Sequence, residues 1–266
     1  MEYLHIYLAL GVFVGFIGGL LGVGGGIVIV PALTFCFAAL HFPDAFSLHT
    51  AIGTSLACIV FGSISSMREH HAHGAVDWSI VKGLAPGVVI GTLLGSKIVV
   101  HIPVRPLKIF FICFVFYAAT QAFLNLKPKP TRQLPGSAGL LGAGGVIGLL
   151  SSFVGIGGGA ISVPFMVWCN VKMHNAIGTS AALGFPIAVA GAVGFIVSGL
   201  NQTGLPPYSL GFVYLPALLG IAGMSVVIAP FGARLAHRLP VTTLKRVFGG
   251  FLYVVGVKMA YDLFHF

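Results

Sequence analysis

Charged residues are scarce in this sequence. Lys, Arg, Asp and Glu make up only 7% of the 266 residues, while 57% are hydrophobic. A water-soluble core could not bury that much apolar surface, so a soluble globular protein is excluded. Continuous apolar stretches of about 18 to 25 residues, the length of a membrane-spanning helix, recur along the chain. They are continuous rather than alternating, so they predict helices and not barrel strands.

Acidic residues are the scarcest charged class, and none lies in the middle of an apolar stretch. The five are Glu2, Asp44, Glu69, Asp77 and Asp262. Cation pumps and proton relays normally hold carboxylates inside the membrane. The sequence therefore favours an anionic or a neutral substrate. The net charge of +9 is spread between the apolar stretches, so it indicates membrane topology rather than nucleic-acid binding.

Metal-binding and catalytic patterns are also missing. The four cysteines stand singly in apolar stretches, without the spacing of a metal site, at Cys36, Cys58, Cys113 and Cys169. We interpret them as small buried hydrophobes, and we expect no metal and no other cofactor. An intramembrane enzyme has no support, because the apolar stretches contain no acid pair, no HExxH motif and no Ser/His/Asp set.

The chain contains two copies of one motif series. Residues 22–33, GVGGGIVIVPAL, match residues 155–166, GIGGGAISVPFM, at a shift of 133 positions. Two further matches follow in the same order, HTAIGTS (49–55) with HNAIGTS (174–180) at a shift of 125, and GSKIVVHIPVRPLK (95–108) with GARLAHRLPVTTLK (232–245) at a shift of 137. Three ordered matches indicate a duplication. The predicted units are residues 1–126, a cytoplasmic linker at 127–136, and residues 137–266.

Each half contains five apolar segments, of which the second is short and directly follows the glycine cluster. The segments are 4–21, 27–41, 50–67, 78–100 and 106–124 in the first half, and 138–154, 160–171, 176–198, 208–233 and 243–264 in the second. The predicted fold is an all-α polytopic membrane protein with two repeats of about five helical segments each. Its glycine-broken short helices are expected near the membrane midplane.

Basic residues are divided unequally between the two sides of this arrangement. If all five segments of each half cross or return, ten Lys and Arg residues lie on one side and four on the other. The positive-inside rule places the side with ten, which includes the linker, in the cytoplasm. An odd number of crossings per half makes the halves inverted repeats, an arrangement typical of secondary transporters. Glycine hairpins that only re-enter the membrane would leave this sidedness unchanged.

The glycine triplets are the first candidate site for a substrate. They are Gly24, Gly25 and Gly26 in the first half, and Gly157, Gly158 and Gly159 in the second. A helix that starts inside the membrane presents N–H groups and its positive dipole end, which favour an anion. Glycine also lets the backbone approach a ligand without a Cβ in the way. Close helix packing through small residues is the alternative explanation.

Hydroxyl pairs at equivalent places in the two halves are the second candidate site. Thr54 and Ser55 correspond to Thr179 and Ser180. Their hydroxyls can donate to anion oxygens, or they can bond to carbonyls of the preceding helical turn.

Two further repeat-equivalent pairs are candidate residues of a transport pathway. They are His49 with His174, and Lys97 with Arg234. A histidine at the edge of a span can carry a proton near the pathway, or it can cap the helix at the membrane interface. The basic pair can guide an anion, or it can anchor the chain at the lipid interface.

The twofold GxGGGxxxVP pattern followed by AIGTS resembles the TauE/SafE sulfite exporter family over nearly the whole chain. The resemblance implies a polytopic transporter in the cytoplasmic membrane, mostly bacterial, that exports sulfite or a small organosulfur anion such as the sulfonate sulfoacetate. It also implies that the family's substrate-contacting region maps to the glycine triplets and the Thr-Ser pairs.

Two other kinds of transport protein stay open at this point. One is an anion channel without coupling to a gradient, and the other is a metal or thiol-linked carrier that uses Cys36 and Cys169. The expected partners are a small anion (sulfite or a sulfonate) and the lipid bilayer, with a homodimer left open and no nucleic acid expected.

Overall fold

The computed structural model describes residues 4–21, 25–42, 44–125, 129–236 and 241–265. Within these residues the chain forms ten α-helices, one short 3-10 helix and one two-stranded hairpin. The first half contains α1 (Leu4–Leu21), α2 (Gly26–Ala39), the 3-10 helix (Asp44–Phe46), α3 (Ser47–Ala72), α4 (Trp78–Val100) and α5 (Val104–Phe123). The second half contains α6 (Ser137–Val154), α7 (Gly159–Trp168), α8 (Met173–Gly199), β1 (Ser209–Leu210), β2 (Val213–Tyr214), α9 (Leu215–Ala236) and α10 (Val241–His265).

The prediction of an all-α membrane protein with five helical segments per half is confirmed. Six helices of the described part are long and apolar enough to cross a membrane, namely α3, α4, α5, α6, α8 and the part of α10 from Lys245 to Phe264.

The predicted start of the segment 208–233 is wrong. In its place β1 and β2 pair antiparallel, with Ser209 opposite Tyr214, and α9 begins only at Leu215. Tyr208 and Gly211 have φ angles of 67° and 56°, which a right-handed helix does not accommodate.

The short helix α7 cannot cross a bilayer by itself. Its ten residues extend about 15 Å, against about 30 Å of hydrocarbon. The backbone N–H groups of Thr131 and Arg132 both donate to the carbonyl of Trp168, at 3.2 Å. The end of α7 therefore lies beside the linker that leads into α6. This contact supports a hairpin of α6 and α7 that returns to the side from which it started.

Packing between the halves is reciprocal. Helix α1 packs on α9, and its counterpart α6 packs on α4, the counterpart of α9. Helix α3 packs on its own counterpart α8, and α5 packs on α10. This exchange is what a two-fold axis between the halves produces. It is consistent with inverted repeats, although the inversion itself stays a prediction.

Glycines allow the closest of these helix contacts. A Cβ at Gly91 of α4 would overlap the carbonyl oxygen of Gly145 in α6, and a Cβ at Gly148 would overlap the carbonyl oxygen of Val88. In the equivalent contact between α1 and α9, a Cβ at Gly11 would lie 2.7 Å from the carbonyl oxygen of Gly220. Small-residue packing therefore explains the glycines within these helices. It leaves the glycine triplets before α2 and α7 to be explained separately.

Candidate functional site

The two glycine breaks have the same backbone geometry. Gly25 and Gly158 directly precede α2 and α7 with φ angles of 70° and 80°, a left-handed conformation that glycine adopts without strain. The Gly158 carbonyl accepts the N–H groups of Ile161 at 3.0 Å and Ser162 at 2.8 Å. The Gly25 carbonyl accepts the two equivalent N–H groups in α2 at 2.9 and 3.0 Å. Each break thus turns the chain and starts the next helix, while Gly24 lies outside the described residues.

The breaks of the two halves lie against each other. A Cβ at Gly26 would lie 2.8 Å from the carbonyl oxygen of Gly155, which caps the end of α6. The fully buried hydroxyl of Ser55 donates to that same carbonyl at 2.8 Å. A side chain of the first half therefore holds the break of the second half in place.

Each Gly-Thr pair of the motif contacts the opposite half. The Thr54 hydroxyl oxygen accepts the backbone N–H of Tyr214 at 3.0 Å, and that of Thr179 accepts the N–H of Asp77 at 2.9 Å. Tyr214 and Asp77 each stand directly before the fourth helix of the other half, α9 and α4. The glycine that precedes each threonine leaves room for the backbone of the opposite half. A Cβ at either glycine would lie 2.5 Å from a carbonyl oxygen of that backbone. Both threonines are fully buried, and both fix the contact between the halves.

A cavity of about 220 Å³ opens between α2, α3, α5, α7, α8 and α10. Three residues of the predicted site line it, namely Gly157, Gly159 and Ser180, whereas neither threonine is among its lining residues. The other polar lining residues are Ser63, Ser66, Gln121 and Lys245. The volume has room for about seven water molecules, so it suits a small solute.

The electrostatic character of the cavity favours a negative charge. Gly159 and Ala160 of the first turn of α7 line it, and the positive end of that helix's dipole lies there. Lys245 adds an ammonium group, which lies 3.4 Å from the side-chain oxygen of Asn125. The described residues that line the cavity include no acidic side chain. The hydroxyl of the lining residue Ser180 and the hydroxyl of the buried Ser162 bond to each other at 2.7 Å.

The predicted pathway residues whose side chains are described lie away from the cavity. His49 is buried, and its Nε2 lies 3.1 Å from two carbonyl oxygens at the end of α4. His174 and Lys97 are exposed, and none of these three lines the cavity. Arg234 belongs to α9, but its side chain lies outside the described part of the structure.

The cysteines do not form a site with other metal ligands. In the described part of the chain, no group of three or more His, Cys, Asp or Glu side chains could hold a metal ion. All four thiols are free. A carrier that uses Cys36 and Cys169 gains no support from this geometry.

Sequence reasoning missed three of the polar lining residues. Ser63 and Ser66 belong to the stretch FGSISSM at 61–67, and Gln121 is an isolated amide near the end of an apolar segment. Hydroxyls and amides in a spanning helix are costly unless they are bonded or face a cavity, so their presence was a usable signal. Lys245 was visible as the repeat counterpart of Lys108, but nothing in the sequence placed it at a cavity.

Comparison with known proteins identifies the family to which the chain is similar. The family model described as Sulfite exporter TauE/SafE matches residues 7–259. A protein of Haemophilus influenzae named "Probable membrane transporter protein" is 38% identical over 259 residues, which cover 97% of this chain and 98% of that protein. A probable membrane transporter protein of Methanocaldococcus jannaschii is 26% identical over 263 residues, covering 96% and 95%. One of Bacillus subtilis is 29% identical over 251 residues, covering 90% and 91%. No solved structure is significantly similar to the chain.

Proposed function

The chain belongs to the TauE/SafE sulfite exporter family, and from that premise we propose that it is a secondary transporter that exports sulfite or a small sulfonate across the cytoplasmic membrane. That it is a multi-pass membrane protein of a transporter family follows from its helices and its relatives. The substrate, the direction, the membrane and a homodimeric state belong to the proposal.

The cavity is the observation that carries the proposal. Its polar groups are an ammonium at Lys245, hydroxyls at Ser63, Ser66 and Ser180, the amide of Gln121, and the amino-terminal turn of α7. The Lys245 ammonium and the Ser66 and Ser180 hydroxyls can donate hydrogen bonds, whereas the Ser63 hydroxyl already donates to the Val60 carbonyl at 3.0 Å. Lys245 and the α7 terminus bring positive charge or positive dipole. Sulfite and sulfonates share oxygens that accept such bonds, and charge-assisted bonds to them are the stronger kind.

The position of the cavity agrees with export from the cytoplasm. Ser66 lies near the end of α3, Gln121 near the end of α5, and Lys245 near the start of α10. In the topology favoured by the basic residues, all three ends lie on the cytoplasmic side. A cavity there is where a substrate bound for export would enter.

Counterflow in vesicles tests the proposal. Purified protein in proteoliposomes preloaded with sulfite should accumulate labelled sulfite or labelled sulfoacetate from outside, and an imposed proton gradient should drive that flux uphill. Anion flux that runs only down the anion's own gradient would support the channel instead. Exchange of a cation, with no exchange of any sulfur oxyanion, would overturn the anion proposal.

A further inference from the structure

We infer that the cavity selects an anion with an apolar tail, a short-chain alkanesulfonate, over sulfite and over a sulfonate that carries a second charge. The sulfonate head group rests on the proposed function. The tail rests on the cavity alone, because it follows from where the polar and the apolar side chains lie. Of the twenty described residues that line the cavity, five have a polar side chain, and three of those five lie at one end.

The polar end of the cavity is formed by Ser66, Gln121 and Lys245. Ser66 lies near the end of α3 and Gln121 near the end of α5. Both α4 and α5 are long and apolar enough to cross the membrane, so the ends of α3 and α5 lie on the same side. Lys245 belongs to the start of α10, and its Nζ lies 3.4 Å from the side-chain oxygen of Asn125, just beyond the end of α5. The three polar side chains therefore mark one end, where the head group of an anion would be held.

Away from the polar end, the walls of the cavity are apolar. On α7, Gly159, Val163 and Val167 follow each other at helical spacing, and this face extends about 12 Å from the glycine break. On α8, Ile177 and Ala181 lie one turn apart and also line the cavity. A ligand longer than its head group would therefore contact apolar side chains along most of its length.

The two remaining polar side chains of the lining each have a partner within the protein. Ser63 donates to the Val60 carbonyl at 3.0 Å, and the hydroxyl of Ser180 bonds to that of Ser162 at 2.7 Å. The positive end of the α7 dipole also lies in this part, but the described residues that line it bring no charged side chain there. A compact, strongly hydrated anion such as sulfite would lose hydrogen bonds to water in this part without regaining them. An alkyl chain makes no such bonds, and its burial is favourable.

The volume of the cavity sets the length of the tail. About 220 Å³ corresponds to about seven water molecules. A sulfonate head group takes about half of that space, which leaves room for about three or four carbon atoms. Propane-1-sulfonate and butane-1-sulfonate should therefore fit best. Burial of each methylene group up to that length should tighten binding about fourfold.

Competition in counterflow tests this inference. Unlabelled alkane-1-sulfonates of increasing length compete with labelled propane-1-sulfonate for uptake into proteoliposomes that contain the purified protein. From methane- to propanesulfonate, each added carbon should strengthen competition about fourfold, and the gain should stop beyond about four carbons. Sulfite should compete at least tenfold more weakly than propanesulfonate. Sulfoacetate, which is of similar length but has a second negative charge on its tail, should also compete at least tenfold more weakly.

Variants of the lining residues locate the head group and the tail. Val163→Thr adds a hydroxyl to the α7 wall at nearly constant shape, so it should lower the preference for propane- over methanesulfonate at least threefold. Ala181→Leu fills the apolar part and should weaken butanesulfonate at least tenfold relative to methanesulfonate. Lys245→Gln should weaken the whole series by one common factor, because its members share the head group. Val197→Thr changes a side chain of α8 that is 62% exposed, and as the control it should leave the preference unchanged.

The outcomes separate the apolar tail from the proposed function. Sulfite that competes as well as propanesulfonate, with no gain along the series, would overturn the tail and leave a sulfite exporter. A chain-length preference that neither Val163→Thr nor Ala181→Leu changes would contradict a tail bound in this cavity. The same chain-length preference among alkanecarboxylates, with no exchange of any sulfur oxyanion, would support the tail and overturn the sulfur class of the proposed function. Wild-type vesicles that exchange neither kind of anion would overturn both.

Discussion

The adjacent threonine and serine hydroxyls of each motif have different structural roles. Thr54 and Thr179 accept backbone N–H groups from the opposite half, whereas Ser180 faces the cavity and Ser55 holds the Gly155 carbonyl. The repeat in the sequence indicates that these residues recur as pairs, but it does not predict which hydroxyl contacts the cavity and which contacts the backbone. A threonine oxygen that accepts a distant N–H has the same sequence signature as one that contacts a substrate.

Removing the threonine acceptors should lower stability. Thr54→Val leaves the N–H of Tyr214 buried without a partner, which costs about 1–3 kcal/mol. Thr179→Val should cost less, because its hydrogen bond with the N–H of Asp77 is only partly buried. Thermal unfolding of the purified protein in detergent measures both, and Thr54→Ser, which keeps the acceptor, is the control. Weaker sulfite binding at unchanged stability would instead place these hydroxyls at the substrate.

Lys245 should dominate the affinity for the transported anion. Lys245→Gln removes the ammonium from the cavity while it keeps a similar length. The loss of a charge-assisted bond of about 1.5–3 kcal/mol should weaken apparent affinity roughly 10- to 150-fold in counterflow. Lys82→Gln makes the same charge change at an exposed position on α4 and should have no effect. Equal affinities in the two variants would remove Lys245 from the site.

The helical elements show where sequence patterns suffice and where they fail. Runs of apolar residues located all ten helices, and the glycine triplets located the breaks before α2 and α7. The start of α9 was missed, because residues 208–214 are apolar enough to continue a helix while Tyr208 and Gly211 turn the backbone. The exchange that packs α1 on α9 and α4 on α6 was not predictable either, because every helix is apolar on most of its surface.

The glycine breaks should be required for transport rather than for insertion. Gly25→Leu and Gly158→Leu force a side chain into a left-handed backbone conformation, at about 1–2 kcal/mol each, and at Gly158 they also crowd Ile187. We expect counterflow to be abolished while the amount of protein in the membrane stays near that of the wild type. Gly223→Leu, at a glycine of α9 with open space around it, is the matched control. Normal counterflow by Gly158→Leu would show that the break has no part in transport.

At the scale of the whole molecule, the duplication predicts which residues of the two halves are equivalent, but it does not predict how tightly each of them is packed. Matching the halves predicts which residues are equivalent, and the reciprocal packing of α1 with α9 and α4 with α6 agrees with it. It could not predict that the matched residues Ile177 and Ile52 differ in exposure, at 36% and 0%. Which of two packings is populated depends on small free-energy differences summed over the whole bundle. Those differences are not readable from local sequence.

The orientation of the molecule is the prediction on which the proposed direction of transport depends. With ten basic residues on one side and four on the other, the linker at 127–136 should be cytoplasmic and the loop before α9 should be outside. In a cysteine-free background, Lys129→Cys should react with an impermeant maleimide only after the inner face is exposed, and Tyr208→Cys should react in intact cells. Both side chains are exposed, so access to the reagent decides the result. Labelling of Lys129→Cys in intact cells would reverse the assignment of the two faces. Labelling of both positions from one face would mean that α8 does not cross, which would remove the inverted repeat.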